Sequence, residues 1–257
     1  MAVSAGGCDW VLLNASPDLR AQIQATPVLQ PHGMPRGSPI GGVVLTGAEV
    51  DQVAGLLTLR ERGGFTVYAS AETLTAIEDN PIFDVLANDV VQRQRVSLAQ
   101  AFALPNGLQA ELFAVPGKVP LYLEKGEPEL AAETGANVGV EIASGGARLV
   151  YVPGAAIITG PLLERLRRAN VVFFDGTLFD DQEMIAGGTG TKTGRRMGHI
   201  PLDGAGGTLQ QLRGLSGRRI LTHINNTNPI LVDGSPQRRK VEAAGFEVAQ
   251  DGMEITL

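Results

Sequence analysis

Four residues in this sequence carry the chemistry of a metal or proton-transfer centre: Asp51, Asp175, His199 and His223. Each follows an apolar or glycine-rich approach. His223 ends the run Arg219-Ile220-Leu221-Thr222 and opens the loop Ile224-Asn225-Asn226-Thr227-Asn228-Pro229. Asp175 ends Val171-Val172-Phe173-Phe174 and leads into Gly176-Thr177. Asp51 lies in Thr46-Gly47-Ala48-Glu49-Val50-Asp51-Gln52, where a strand hands over to a helix, and His199 closes the segment Gly187–Gly198. Loops at the carboxyl ends of strands are where α/β proteins place ligands. Imidazole is the commonest metal donor and moves protons near neutral pH. If the four residues converge, two imidazoles with one or two carboxylates suit non-haem Fe(II) and oxygen chemistry. Zinc with a bound water fits the same donors.

Each motif also has a plainer reading. Asp51 can cap the following helix, and Asp175 can bond its own backbone in an Asx-type turn. His199 can be a partly buried loop histidine. His32, in Gln30-Pro31-His32-Gly33, reads as structural or exposed. The stretch Gly187-Gly188-Thr189-Gly190-Thr191-Lys192-Thr193-Gly194-Arg195-Arg196 fails as a phosphate loop, because Thr191 precedes Lys192 and the segment follows a helix. A basic lid carrying Lys192, Arg195 and Arg196 toward an anionic substrate is the better functional reading, against a solvated basic turn. No nucleophile elbow, zinc ribbon or dinucleotide fingerprint is present, and Tyr122 and Glu124 carry no distinctive spacing.

The elements that must position these residues alternate short apolar runs with amphipathic stretches. Strands are expected at Trp10–Asn14, Gly42–Thr46, Phe65–Ala69, Leu108–Val115 and Val171–Phe174, and at Arg219–Thr222, Phe246–Ala249 and Met253–Leu257. A hairpin is expected to join 138–143 to 148–152 around Ser144-Gly145-Gly146. Helices are expected after Ser16-Pro17, with Ser16 as N-cap, and over 52–60, 72–78, 161–168, 208–213 and 236–244. Strands interleaved with helices imply a mixed sheet covered by helices. At 257 residues, with no linker-like stretch, the chain reads as a single domain over 1–257.

Composition narrows the function. A net charge of −6 and few aromatics argue against nucleic acid and anionic membrane. No apolar run reaches the ~18 residues of a membrane span, and the start does not read as a secretory signal. The single cysteine, Cys8, excludes an internal disulfide. A cytoplasmic protein is the expectation. The chain starts almost directly on an apolar strand that reads as central, as though a preceding segment were missing.

Several blocks together resemble the pyrroloquinoline quinone (PQQ) biosynthesis protein B family: Asn14–Arg20, Asp51 with Gly55–Glu61, Asp175-Gly176-Thr177, Gly190–Gly194 through His199, and His223–Pro229. The resemblance runs from about residue 2 to the end. It implies an α/β metallo-β-lactamase-like αββα sandwich of two mixed sheets, with the first strand region of the family, about forty residues, missing. It implies metal-dependent oxidation of a tyrosine-derived precursor, with Fe(II) or Zn(II) at the active site. The alternatives are a carrier of the quinone or its precursor to the periplasm, or a zinc-dependent hydrolase. By position, Asp51 and His223 become metal ligands, Asp175 and His199 catalytic residues, and Lys192, Arg195, Asn225 and Asn226 substrate contacts. The partners implied are a small-molecule or peptide-derived PQQ precursor and other PQQ biosynthesis proteins, with a homodimer compatible. Two departures stand out. Gln52 occupies the position of an expected histidine, and the family's cysteine cluster resembling a structural zinc site has no counterpart, since Cys8 does not match it.

Overall fold

The computed structural model describes residues 1–31, 33 and 37–257; His32 lies outside the described residues. One sheet has five strands in the order β1 (Ala2–Val3), β2 (Trp10–Leu13), β3 (Ile40–Val44), β4 (Phe65–Ala69) and β5 (Val91–Arg95). Its first pair is antiparallel and the rest parallel. The other has seven strands: β6 (Ala101–Ala103), β7 (Gln109–Ala114), β8 (Val138–Ser144), β9 (Ala147–Val152), β10 (Val171–Asp175), β11 (Arg218–Thr222) and β12 (Glu247–Val248) are neighbours in sequence order. From β6 to β9 the pairing is antiparallel, and from β9 to β12 it is parallel. Helices α1 (Leu19–Ala25), α2 (Val50–Val53), α3 (Ala71–Glu78), α4 (Gly160–Arg167), α5 (Glu183–Ala186), α6 (Thr208–Gln211) and α7 (Pro236–Ala243) complete the chain.

Three apolar layers explain the stack. Val11, Leu13 and Val44 of the first sheet meet Leu112, Val140, Phe173 and Ile220 of the second. The outer face of the first sheet packs under Leu19 of α1 and Leu74 and Ile77 of α3. The outer face of the second packs under Leu162 and Leu166 of α4, Leu209 of α6 and Val241 of α7. This is the expected αββα order, two sheets facing one another with helices outside. β10 shows why its sequence is an unbroken apolar run. Val171 and Phe173 face the inter-sheet core while Val172 and Phe174 face the helices, as a strand buried on both faces requires. Truncating Phe174, which is 1 % exposed, to alanine would cost about 3–5 kcal/mol. The same alternation carries Asp175 to the inter-sheet side at the carboxyl end of the strand.

The β8–β9 hairpin closes through Gly145 and Gly146, both at positive φ (56° and 92°), the backbone that a two-residue primed turn needs. Elsewhere the expected elements shift. In place of a helix over 52–60, α2 gives way at Ala54 to a 3-10 segment ending at Leu59. The Gly55 amide bonds the Ala15 carbonyl at 2.9 Å, and a Cβ there would lie 2.1 Å from the Ser16 carbonyl oxygen. Docking onto the end of β2 takes the amide that an α-helix would have used. Asp18, not Ser16, stands at the N-cap of α1. Residues 253–257 form no strand. β2 is preceded by β1, which forms the sheet's edge. β5, whose sequence is Val-Gln-Arg-Gln-Arg, is a largely exposed edge strand without an apolar pattern.

Candidate metal centre

The carboxyl ends of β3, β10 and β11 bring Asp51, Asp175, His199 and His223 together at one end of the two sheets. Asp175 is fully buried. Its Oδ2 accepts from the Ala155 amide at 3.0 Å and from His199 Nδ1 at 2.7 Å. Its Oδ1 accepts from the Thr177 amide at 3.0 Å and the Thr177 hydroxyl at 2.7 Å. The Thr177 amide bond is the Asx-type turn expected from sequence, so the structural and chemical readings of Asp175 hold together. Burial alone would raise its pKa; His199, then His223 and the Thr177 bond, outweigh that and hold it below the ordinary carboxylate range.

Thr177 is the hub that the sequence did not single out. Its hydroxyl oxygen lies 2.8 Å from His223 Nδ1 and 3.1 Å from His199 Nδ1. A hydroxyl has one proton, and the nearest acceptor is the charged Asp175 oxygen. The lone pairs that remain face the Nδ1–H of His223. His199 likewise spends its Nδ1–H on Asp175. Both rings are thereby fixed with Nδ1 inward, and they stack with centroids 5.3 Å apart at 21°. Carboxylate or hydroxyl partners on the inner nitrogen are the usual device for presenting Nε2 to a metal.

His223 Nε2 meets Asp51 Oδ2 at 2.5 Å. Burial would lower the His223 pKa, but Asp51, then Asp175, raises it above its ordinary value. Asp51 is shifted the opposite way: burial opposes, and the bond to His223 holds it below the usual range. At this separation the ring nitrogen and the carboxylate share a proton, and a cation that bound both would replace that proton. His223 itself has φ +54°, a left-handed backbone that costs a residue with a Cβ roughly 1–2 kcal/mol. That turn swings the ring off the end of β11. Among the described residues, Asp175, His199 and His223 each place one donor atom within 4.8 Å of the others. Two imidazoles and two carboxylates fit the first-row cations that such sites hold.

The other sequence-selected residues stand around this cluster. Gln52 is buried, and its Oε1 accepts from the Glu49 amide at 3.2 Å, capping the turn it belongs to. Glu49, not Asp51, is the N-cap of α2, and Asp51 lies in its first turn. Lys192 reaches Glu124 at 3.7 Å. The exposed Arg195 bonds the Ala205 carbonyl at 3.4 Å. The Asn225 amide is taken by Thr227 Oγ1 and Met184 Sδ, both at 3.0 Å, and Asn226 is exposed. The structure therefore gathers Asp51, Asp175, His199 and His223, and places Gln52, Lys192, Arg195, Asn225 and Asn226 in other contacts. Lys118 and Glu49, joined at 2.9 Å, border the site without any sequence signal beyond their charge.

Residues 9–224 match a family model described as a beta-lactamase superfamily domain. Coenzyme PQQ synthesis protein B of Rhizobium meliloti (strain 1021) is 53% identical over 258 residues, which cover 100% of this chain and 84% of the relative. The same-named protein of Methylobacterium nodulans is 52% identical and is covered over 86% of its length. The crystal structure of Zn(2+)-bound PqqB from Methylobacterium extorquens superposes with a TM-score of 0.97 at 50% identity, covering 100% of this chain and 86% of that one. A diphosphatase from the PhnP family shares the fold, with a TM-score of 0.67 at 19% identity over 98% of this chain and 80% of that one.

Proposed function

The chain belongs to the coenzyme PQQ synthesis protein B family of the β-lactamase superfamily and takes part in PQQ synthesis; we propose that it does so as a metal-dependent oxidase or hydroxylase of a tyrosine-derived precursor. The observation that carries this reading is the pair of stacked imidazoles with their inner nitrogens tied down, beside a carboxylate, Asp51, whose one side-chain partner among the described residues is His223. His199, His223 and Asp51 would hold the ion, with Asp175 behind His199. Two imidazoles and a carboxylate with open positions are the donor set of ferrous oxygenases. Such an ion would supply the dioxygen chemistry that no side chain here can.

The chain's own residues supply the rest. Asp175 and Thr177 orient His199 and His223. Asp51, nearly half exposed, is placed to take up and return a proton at Oδ2. Lys192, Arg195, Asn225 and Asn226, which belong to the loops that bear the two histidines, would engage the polar groups of the precursor, and other proteins of the same pathway would be partners. Among the described residues no helix is long and apolar enough to cross a membrane.

The test is anaerobic loading of the purified chain with Fe(II) or Zn(II), followed by addition of air and precursor. Oxygen uptake that requires both Fe(II) and precursor is the expected result. Turnover with zinc under nitrogen would overturn it in favour of the second reading, a zinc hydrolase, whose metal is the one bound in the solved PqqB relative.

A further inference from the structure

Beside the cluster runs a strap, residues 121–134, in which no residue is buried. Leu121, Tyr122 and Leu123 are 58%, 45% and 43% exposed. One side chain of the strap points the other way. The Glu124 carboxylate is only 9% exposed, and three cations converge on it. Lys118 Nζ lies at 2.7 Å, Arg196 Nη1 at 3.6 Å and Lys192 Nζ at 3.7 Å. Burial alone would raise the Glu124 pKa; Lys118, with Lys192 and Arg196 behind it, more than offsets this and keeps the group ionised.

The fit is incomplete. Glu124 Oε1 is met by the Lys118 ammonium at 2.7 Å, but Arg196 Nη1 is buried without a hydrogen bond. A guanidinium nitrogen at 3.6 Å contributes charge but not the bidentate pairing that arginine makes with a well-placed carboxylate. The cradle thus holds donor capacity that Glu124 leaves unused. It also abuts the metal centre on two sides. The Lys118 stem lies 3.4 Å from where a Gly198 Cβ would be, next to His199. Its ammonium bonds Glu49 Oε1 at 2.9 Å, two residues before Asp51.

We propose that Lys118, Lys192 and Arg196 form a carboxylate-binding subsite beside the metal centre, and that Glu124 is an internal carboxylate filling it until a substrate carboxylate takes its place. This rests on the reading of the neighbouring cluster as the substrate site. The ligand class is a small acid, able to reach the cluster while its carboxylate sits in the cradle. Exchanging one carboxylate for another never strands the partly buried cations, which is what makes breaking such a cluster costly. Beyond Glu124 the strap is held by polar contacts at its surface: the Leu121 amide bonds Glu49, the Tyr122 hydroxyl bonds the Ala48 carbonyl at 2.8 Å, and the exposed Glu127 pairs with Arg196 Nε at 2.7 Å.

The test uses the metal-free protein and isophthalate, a dicarboxylate, in isothermal titration. Glu124→Gln is expected to bind it about tenfold tighter than the unaltered protein, and adding Lys118→Met or Arg196→Met to cancel the gain. Isophthalate should also speed tryptic cleavage after Lys125 in the unaltered protein, a readout that needs no variant. The proposal is overturned if Glu124→Gln, folded by circular dichroism, gains no affinity. It is also overturned if benzamide binds as well as isophthalate, or if saturating isophthalate leaves the Lys125 cleavage rate unchanged. Because no metal is present, failure of the oxidase reading would leave these outcomes untouched, and a chain that loads metal yet shows no Glu124 effect would refute the subsite alone.

Discussion

Replacing Thr177 with valine keeps the shape of the side chain and removes only its hydroxyl. That oxygen donates to Asp175 Oδ1 at 2.7 Å and receives the His223 Nδ1–H at 2.8 Å. In the valine variant Asp175 keeps three of its four donors, but His223 Nδ1 faces a methyl group. A polar group stranded in this way costs about 1–3 kcal/mol. If the cost falls on the metal-competent orientation of the ring, zinc binding weakens about 10–100-fold, the range found for partners of metal-ligating histidines. A competition titration against a chromogenic chelator reads this directly. Thr177→Ser should restore affinity to within about threefold, since the hydroxyl returns. Proton–nitrogen NMR of the histidines supplies a readout that mere destabilisation would not move: the His223 Nδ1–H should lose its hydrogen-bonded, solvent-protected signal in the valine variant and keep it in the serine variant. Zinc affinity in Thr177→Val within about twofold of the unaltered chain, with that signal unchanged, would refute the hub role.

Gln52→His tests whether the site is short of one imidazole: it should tighten zinc binding about tenfold or more despite losing a cap bond worth roughly 0.5–1.5 kcal/mol, and unchanged affinity in the same titration would show that residue 52 stays a cap. Asp175→Asn turns an amide NH2 toward backbone donors and His199, so urea unfolding of the metal-free protein should show a loss of about 2 kcal/mol or more, with zinc binding abolished; retention of both would contradict the geometry. The His223–Asp51 pair fixes a pH trend. The His223 pKa is raised in the folded chain, so its contribution to metal-free stability is complete below the unfolded value near 6.5 and is lost as pH rises through the folded one. Metal needs the deprotonated imidazole and gains over that window. The Tm gap between zinc-loaded and metal-free protein should therefore widen with rising pH above neutrality, and a gap that narrows would exclude His223 as a ligand.

What the sequence disclosed and what it hid follow from the range of the interactions. β10 was legible because a strand covered on both faces must be apolar throughout, and the β8–β9 turn because only glycine takes two positive φ values without strain. Asp175 and His223 were legible as abrupt polar ends to such runs. β5 was not, because an edge strand in water carries no periodic apolar face. The helical pattern over 52–60 is broken because the Gly55 amide is claimed by Ala15, a contact between distant stretches of chain. Lys118, Glu124 and Thr177 escaped for the same reason. Lys118 and Glu49 are 69 residues apart and Thr177 and His223 are 46 apart, and no local spacing encodes such meetings.

The two carboxylates look equivalent in sequence, each an aspartate just past a strand, but the fold gives them different work. Asp175 has both oxygens doubly occupied by donors and is buried. A cation that took one of its lone pairs would have to displace a protein hydrogen bond in a low-dielectric setting, where an unpaired donor is costly. Asp51 is nearly half exposed, and among the described residues its side chain is engaged by His223 alone, so a cation arriving there displaces only a proton. Metal entry through Asp51 and His223, with His199 already aligned by Asp175, is therefore the path of least disruption, and it makes loading proton-releasing. That path gives a reason for spending two strong hydrogen-bonding groups, Asp175 and Thr177, on orientation: the two imidazoles are held in place before an ion arrives.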